Sequence, residues 1–177
     1  LAQKRGLRQV LTSGGQVVLT PEQSGATPEL SDARYASSDF FPMFDVPLQF
    51  GRGWTAAEDA GKARVLVISK ELNDKQFGGA DSTGKTLRID GNDFRIIGVL
   101  DTWRLVARVY DLYNDQYGTT EDVFLPFSTS RDLKMGTQGN TDCWGDSGGD
   151  SHTLNAPCAW VQYWVELETP AKAAEYK

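Results

Sequence analysis

Apolar and polar positions change their period several times along these 177 residues, and each change predicts an element. Val65 to Ile68 is a short unbroken apolar run, as a buried strand requires. Ser69 offers a hydroxyl to the free amides of a helix over Lys70 to Phe77, with Glu71 favourable in its first turn. Gly78-Gly79 supplies the stop. Gly84 to Ile89 and Phe94 to Val99 read as two strands turned at Asp90-Gly91-Asn92. Leu87 and Ile89 alternate with Thr86 and Arg88, so one face of that hairpin is buried.

Upstream, Gln9 to Leu19 reads as a hairpin around Ser13-Gly14-Gly15, followed by a polar connection from Pro21 to Ser31. Tyr35 closes a short strand, and Ser37, Ser38 or Asp39 is placed to cap a helical turn. Phe40, Phe41 and Phe44 fall at helical spacing and predict an aromatic core face. Pro42 limits that helix to a very short one, and Asp45 stands at its left-handed end. Gly51 to Gly61 reads as a loop. Further on, Trp103 to Tyr113 fits strand and helix equally, and Asn114 to Thr120 reads as loop. Val123 to Phe127 is a strand whose Pro126 suits an edge or a strand end. Gly136 to Pro157 is a long loop, and Ala159 to Leu167 a tryptophan-rich strand. Thr169 and Pro170 announce a final helix. The mixture predicts an α+β fold of mixed, mainly antiparallel sheets with short helices.

Taken together, several of these segments carry a family resemblance. Arg34-Tyr-Ala-Ser-Ser-Asp-Phe-Phe-Pro-Met-Phe-Asp-Val is followed by Gly51-Arg-Gly-Trp-Thr and Val65-Leu-Val-Ile-Ser. Phe77-Gly-Gly, Gly84-Lys-Thr-Leu-Arg-Ile-Asp-Gly and Phe94-Arg-Ile-Ile-Gly-Val-Leu come next. Their order and spacing resemble the extracytoplasmic, periplasmic core domain of MacB-like and FtsX-like ABC transporter permeases. Val123-Phe-Leu-Pro-Phe-Ser-Thr and Tyr163-Trp-Val-Glu-Leu extend the match, whereas the first 30 residues and 101–160 match poorly. Pro42 departs from the family pattern, as does Asp45, where the family usually carries glycine.

The resemblance implies a non-catalytic domain that relays ATP-driven movement to a substrate or partner protein outside the inner membrane. It implies a cytoplasmic ABC ATPase, fused or separate, that this part does not contact. A homodimer or heterodimer of permeases and a membrane fusion protein are the further partners it suggests, with no cofactor. Two subdomains follow from it: a porter-like one from 1–50 with 160–177, and a small inserted α/β one over 51–159. A chain that starts at Leu1 and stops about two turns into a helix reads as a piece from between transmembrane helices, on the periplasmic face of a bacterial inner membrane.

Composition narrows the partners. Eighteen Lys and Arg against 24 Asp and Glu give a formal charge of −6, which argues against nucleic acid or anionic lipid. No run of 18 apolar residues occurs, so nothing in this stretch reads as a membrane-spanning helix. Cys143 and Cys158 are the two cysteines and bracket the Gly-rich loop. A bridge between them would contribute about 3 kcal/mol by restricting the unfolded chain. It also implies an oxidising compartment; two buried free thiols are the alternative.

The same loop holds the features that suggest chemistry. Cys143-Trp-Gly-Asp-Ser-Gly-Gly-Asp resembles the nucleophile segment of chymotrypsin-like serine proteases. Ser147 would need an imidazole base, but the sole histidine, His152, is five residues downstream, whereas those proteases carry theirs far upstream. Asp150 stands where those proteases have proline, so turn composition is the better reading. Asp142, Asp146 and Asp150 offer oxygens to a hard cation, but a spacing of four does not match the alternating ligands of an EF-hand. Trp144, Trp160 and Trp164 are candidates for partner or ligand contact; core packing beside a disulfide competes with that reading. Gly84-Lys85-Thr86 resembles the end of a phosphate loop, without its upstream glycines and with a strand where a helix belongs. Three function classes remain: a transporter's extracytoplasmic domain, a stand-alone glycan- or peptide-binding module, and an enzyme, for which no base, nucleophile or metal set is in view.

Overall fold

In the computed structural model of the chain, residues 6–20, 27–103, 105, 107–112 and 117–176 are described. Residues 21–26 of the polar connection after Leu19, and 114–116 of the Asn114–Thr120 loop, lie outside them.

The first strand, β1 (Arg8–Thr20), runs 13 residues without a turn. This corrects the hairpin expected at Ser13-Gly14-Gly15. The glycines permit a close approach instead: a Cβ on Gly15 would lie 2.5 Å from Cε2 of Tyr35. A glycine inside a strand marks such an approach as readily as a turn. Strand β2 (Glu29–Ala36) pairs with β1 from Thr12 to Leu19. Helix α1 (Phe40–Met43) has four residues, and Asp45 ends it at φ 47°, as the proline and the aspartate predicted. The expected capping residues serve β1 instead: Asp39 Oδ2 accepts from the Gln9 amide at 3.0 Å and Ser37 Oγ from the Leu11 amide at 3.1 Å.

Strand β3 (Leu48–Gly51) leads to α2 (Ala56–Ala60), a helix inside the stretch expected to be loop. Thr55 and Glu58 close a reciprocal cap around it, a Thr-x-x-Glu signature present in the sequence. Strand β4 (Val65–Ile68) is buried at every position, and Ser69 caps α3 (Lys70–Phe77) by accepting from the Leu72 amide. Strands β5 (Thr86–Ile89) and β6 (Asn92–Leu100) form the hairpin, with Asp90 and Gly91 both at positive φ. Such a two-residue turn matches the strands' twist. After β6, the described part of Trp103–Tyr113 contains a 3₁₀ turn at Val109–Asp111, neither strand nor α-helix. Strand β7 (Val123–Pro126) ends on its proline and passes into α4 (Phe127–Asp132). Short strands β8 (Asp142–Cys143) and β9 (Cys158–Ala159) pair within the long loop, and β10 (Gln162–Glu166) precedes α5 (Pro170–Tyr176).

The large sheet runs β10-β1-β2-β7-β4-β6-β3, with β5 joining β1 and β6. Two pairings are parallel, β2 with β7 and β4 with β6, and the others are antiparallel. The fold is therefore α+β with mainly antiparallel strands. Its hydrogen bonds close a circuit of six strands: β1, β2, β7, β4, β6, β5 and back to β1. One core fills the circuit and takes side chains from all six, among them Val17, Tyr35, Ile68, Ile89, Ile96 and Leu125. A second core lies outside it, under α1, and holds Phe40, Trp54, Val67, Trp103, Tyr110 and Phe124. The strict alternation of Leu66 and Ile68 inward with Val65 and Val67 outward follows from the two-residue period of a strand. Among the described residues no helix is long and apolar enough to cross a membrane.

Candidate functional site

Two long connections carry the sites: 101–122 between β6 and β7, and 136–157 between α4 and β9. They face each other across a cleft of about 520 Å³ beside β1 and β2, with Arg108 and Thr119 on one side and Gln138 and Asn140 on the other. Gln138 is anchored to the sheet by donating its amide to the Gly14 carbonyl at 2.9 Å.

Charged side chains buried from solvent lie beneath that cleft. Arg34 is in β2 on the face opposite Tyr35, so strand alternation turns it away from the barrel interior. Its Nε donates to Glu121 Oε1 at 3.0 Å and its Nη2 donates to both Glu121 and Asp111, the latter at 2.6 Å. Arg108 Nη1 donates to Glu121 Oε1 at 3.0 Å and to the Thr119 carbonyl at 2.9 Å. The Tyr110 hydroxyl donates to Glu121 Oε2 at 2.9 Å, and Gln162 Nε2 of β10 donates to Asp111 Oδ1 at 2.9 Å. Two cations thus face two anions, all less than a tenth exposed. Burial alone would depress the Arg34 pKa, but the carboxylates of Glu121 and Asp111 outweigh it and hold the guanidinium above its ordinary value. Burial, reinforced by the Glu121 charge, pushes the Tyr110 hydroxyl up in turn. Arg34 Nη1 and Gln162 Oε1 have no hydrogen-bond partner.

The network ties the 101–122 connection to β2 and β10. Each of its carboxylates is engaged by an arginine, and the Tyr110 hydroxyl that meets Glu121 is buried with it. Sequence reasoning missed it. An arginine between Ala33 and Tyr35, and Glu121-Asp122 directly before an apolar strand, were its available signals.

The residues singled out from sequence are distributed differently. Cys143 and Cys158 are joined by a disulfide, closing a loop with a sequence separation of 15. Trp160 is buried, stacked on Phe127 with centroids 6.1 Å apart, with the Arg131 guanidinium over its ring at 4.9 Å. Trp164 is half-buried against the edge of Phe44 at 5.9 Å. Trp160 and Trp164 share a second cleft of about 510 Å³, whose lining also includes Asn140 and Asp142. Trp144 is not among that lining; it stands 74% exposed on the bridged loop.

His152 nitrogens lie 3.2 Å from Thr141 Oγ1 and 3.2 Å from Ser151 Oγ, and its ring meets the Trp160 edge. Ser147 is therefore given no base by these contacts. Asp146 accepts from the Gly148 amide and Asp150 from the His152 amide, each at 2.9 Å, as turn-forming aspartates do. No group of three or more His, Cys, Asp or Glu is gathered for a metal among the described residues. Gly84 turns at φ 86° into β5, and the Lys85 ammonium sits 4.7 Å over the Phe77 ring.

A family model described as MacB-like periplasmic core domain matches residues 4–177. No curated protein matches the chain in sequence. Among solved structures, the periplasmic region of MacB from Actinobacillus actinomycetemcomitans is similar at a TM-score of 0.63 and 15% identity. That match covers 99% of this chain, which spans 65% of the MacB region. The extracellular domain of the noncanonic ABC-type transporter YknZ from Gram-positive bacteria is similar at 0.61 and 14% identity, over 98% of this chain and 72% of that one. A domain of a putative permease protein from Porphyromonas gingivalis follows at 0.52 and 17%, over 93% of this chain and 57% of that one.

Proposed function

The chain belongs to the MacB-like periplasmic core domain family, and from that membership we propose that it works as the non-catalytic extracytoplasmic domain of an ABC transporter permease, relaying ATP-driven movement to a substrate or partner protein outside the inner membrane. The family match over 4–177 carries this reading. A cytoplasmic ABC ATPase supplies the energy, and movement arrives through transmembrane helices outside this stretch. A second permease and a membrane fusion protein complete the assembly.

The mechanics suit that role. Close-packed cores transmit strain, and a closed six-strand circuit resists shear because no strand within it can slide without breaking a ladder on either side. The Arg34–Asp111–Gln162 chain of hydrogen bonds couples β2, the 101–122 connection and β10. The adjacency of β10, β1 and β2 at one end of the strand order supports a porter-like unit from 1–50 with 160–177, whereas β3 of that stretch stands at the other end, against β6 of the proposed inserted unit over 51–159.

The test replaces residues 6–176 by a flexible Gly/Ser linker in the full transporter. Nucleotide hydrolysis is expected to persist while transport stops. Transport surviving the replacement, or turnover of any substrate by the 177-residue chain alone, overturns the reading. A stand-alone glycan- or peptide-binding module is the second reading, favoured by the cleft that holds Trp160 and Trp164. Saturable tryptophan fluorescence changes with a glycan or peptide library would support it.

A further inference from the structure

We propose that Thr12, Arg34 and Gln162 enclose a binding site for one structural water, which joins three neighbouring strands through their side chains. Nothing in this site depends on the transporter reading. Thr12 Oγ1, Arg34 Nη1 and Gln162 Oε1 are each shut off from solvent and without a hydrogen-bond partner. Thr12 and Arg34 are 0% and 1% exposed as whole residues. A buried polar atom left unpaired forfeits its hydration with nothing in return. Native proteins therefore satisfy nearly all such atoms, with ordered water where protein groups fall short.

Strand register puts all three side chains on one face. Thr12 of β1 lies opposite Gln162 of β10 on one side and opposite Ala36 of β2 on the other. Arg34 is two residues before Ala36, hence on the same face and diagonal to Thr12. Directly opposed side chains stand about 5 Å apart, and a diagonal neighbour is within reach of one as long as arginine. Asp111 then draws the two long side chains together. Its Oδ2 accepts from Arg34 Nη2 at 2.6 Å and its Oδ1 from Gln162 Nε2 at 2.9 Å. Nη1 and Oε1 are the remaining arms of those same planar groups. Reversing the Gln162 amide offers no escape, because its oxygen would then face the Asp111 carboxylate.

The three atoms specify their ligand. Nη1 is a donor, Oε1 an acceptor, and the threonine hydroxyl serves as either. A water accepts from Nη1, donates to Oε1 and makes its third bond with Thr12 Oγ1, the usual complement for a buried water. An anion would meet Gln162 Oε1 beside the Asp111 carboxylate, and a cation would meet the Arg34 guanidinium. The charges of the network already answer one another, so a neutral molecule is selected. The water adds β1 to the Arg34–Asp111–Gln162 chain that links β2 with β10.

The experiment turns on a sign. Thr12→Val keeps the branched shape and the strand propensity and removes only the hydroxyl. With a water bound, that change leaves the water short of a partner, and the urea midpoint of the 177-residue chain is expected to fall by about half a molar. With no water, it deletes an unsatisfied buried hydroxyl, and the midpoint rises. Near-ultraviolet circular dichroism excludes misfolding of the variant. A crystal structure of the parent chain needs no variant and is expected to show one ordered oxygen within about 3.2 Å of Thr12 Oγ1, Arg34 Nη1 and Gln162 Oε1. A midpoint that holds or rises, or a parent structure without that oxygen, overturns the proposal. Transport by the full machine enters neither readout, so failure here is distinguishable from failure of the relay reading.

Discussion

Arg34 and Glu121 are separated by 87 residues, yet the guanidinium Nε meets Glu121 Oε1 at 3.0 Å with both side chains shut off from solvent. Glu121 is the hub of the buried network, since Arg108 and Tyr110 also converge on it. Removing one member of a buried ion pair leaves the others charged and unpaired in low dielectric. Glu121→Ala is therefore expected to destabilise the chain by about 3–5 kcal/mol. Urea unfolding checks this, and a loss below about 1 kcal/mol would mean that water already solvates the arginines.

Gly15 makes a separate prediction. A methyl group there overlaps the Tyr35 ring, whose hydroxyl donates to the Gly136 carbonyl at 3.0 Å. Gly15→Ala is expected to cost about 1–3 kcal/mol by overpacking. The double variant with Tyr35→Leu should recover part of that loss, and thermal unfolding of the two proteins measures it.

The disulfide closes the loop between β8 and β9 but lies outside the six-strand circuit. Replacing both cysteines by serine is expected to cost about 3 kcal/mol on the loop-entropy account. Amide exchange should accelerate within 141–159 well before it does in β4 and β6. Simultaneous loss of protection in both regions would show that the loop and barrel unfold as one unit.

Glu58 governs a pH effect. The Arg52 guanidinium grips it with two hydrogen bonds of 2.8 Å, the Thr55 amide adds another at 2.8 Å, and its carboxyl is held down to about 2. A folded pKa below the ordinary value favours the charged form in the native state. The stabilisation is present above the ordinary pKa near 4.5 and is lost as pH falls through about 2. Glu58→Gln is expected to lower stability by about 1 kcal/mol near neutral pH, as loss of a cap does, with the gap to the parent closing in acid. Denaturant unfolding at pH 6 and pH 2.5 compares the two, and a gap independent of pH would reject the ionic account.

Local elements were legible wherever a short-range rule sufficed. Ser69 capping α3, the Asp90-Gly91 turn, the four-residue α1 before Asp45 and the buried run Val65–Ile68 each follow from neighbours within a few positions. Helix α2 was legible too, through Thr55 and Glu58, but the surrounding glycines masked it. Gly14-Gly15 misled because a glycine pair permits a turn and a close strand crossing alike, and Tyr35, which decides between them, is 20 residues away.

From its residues alone, this polypeptide determined its α+β class, its hairpin and caps, and the family whose motif order it carries, because periodicity and capping act over a single turn or pleat. Tertiary structure alone decided that six strands close on themselves, that Arg34 and Arg108 share buried carboxylates, and that residues of both long connections border one cleft. Those outcomes depend on pairings between residues tens of positions apart, whose free energy comes from desolvation and packing that no local pattern records.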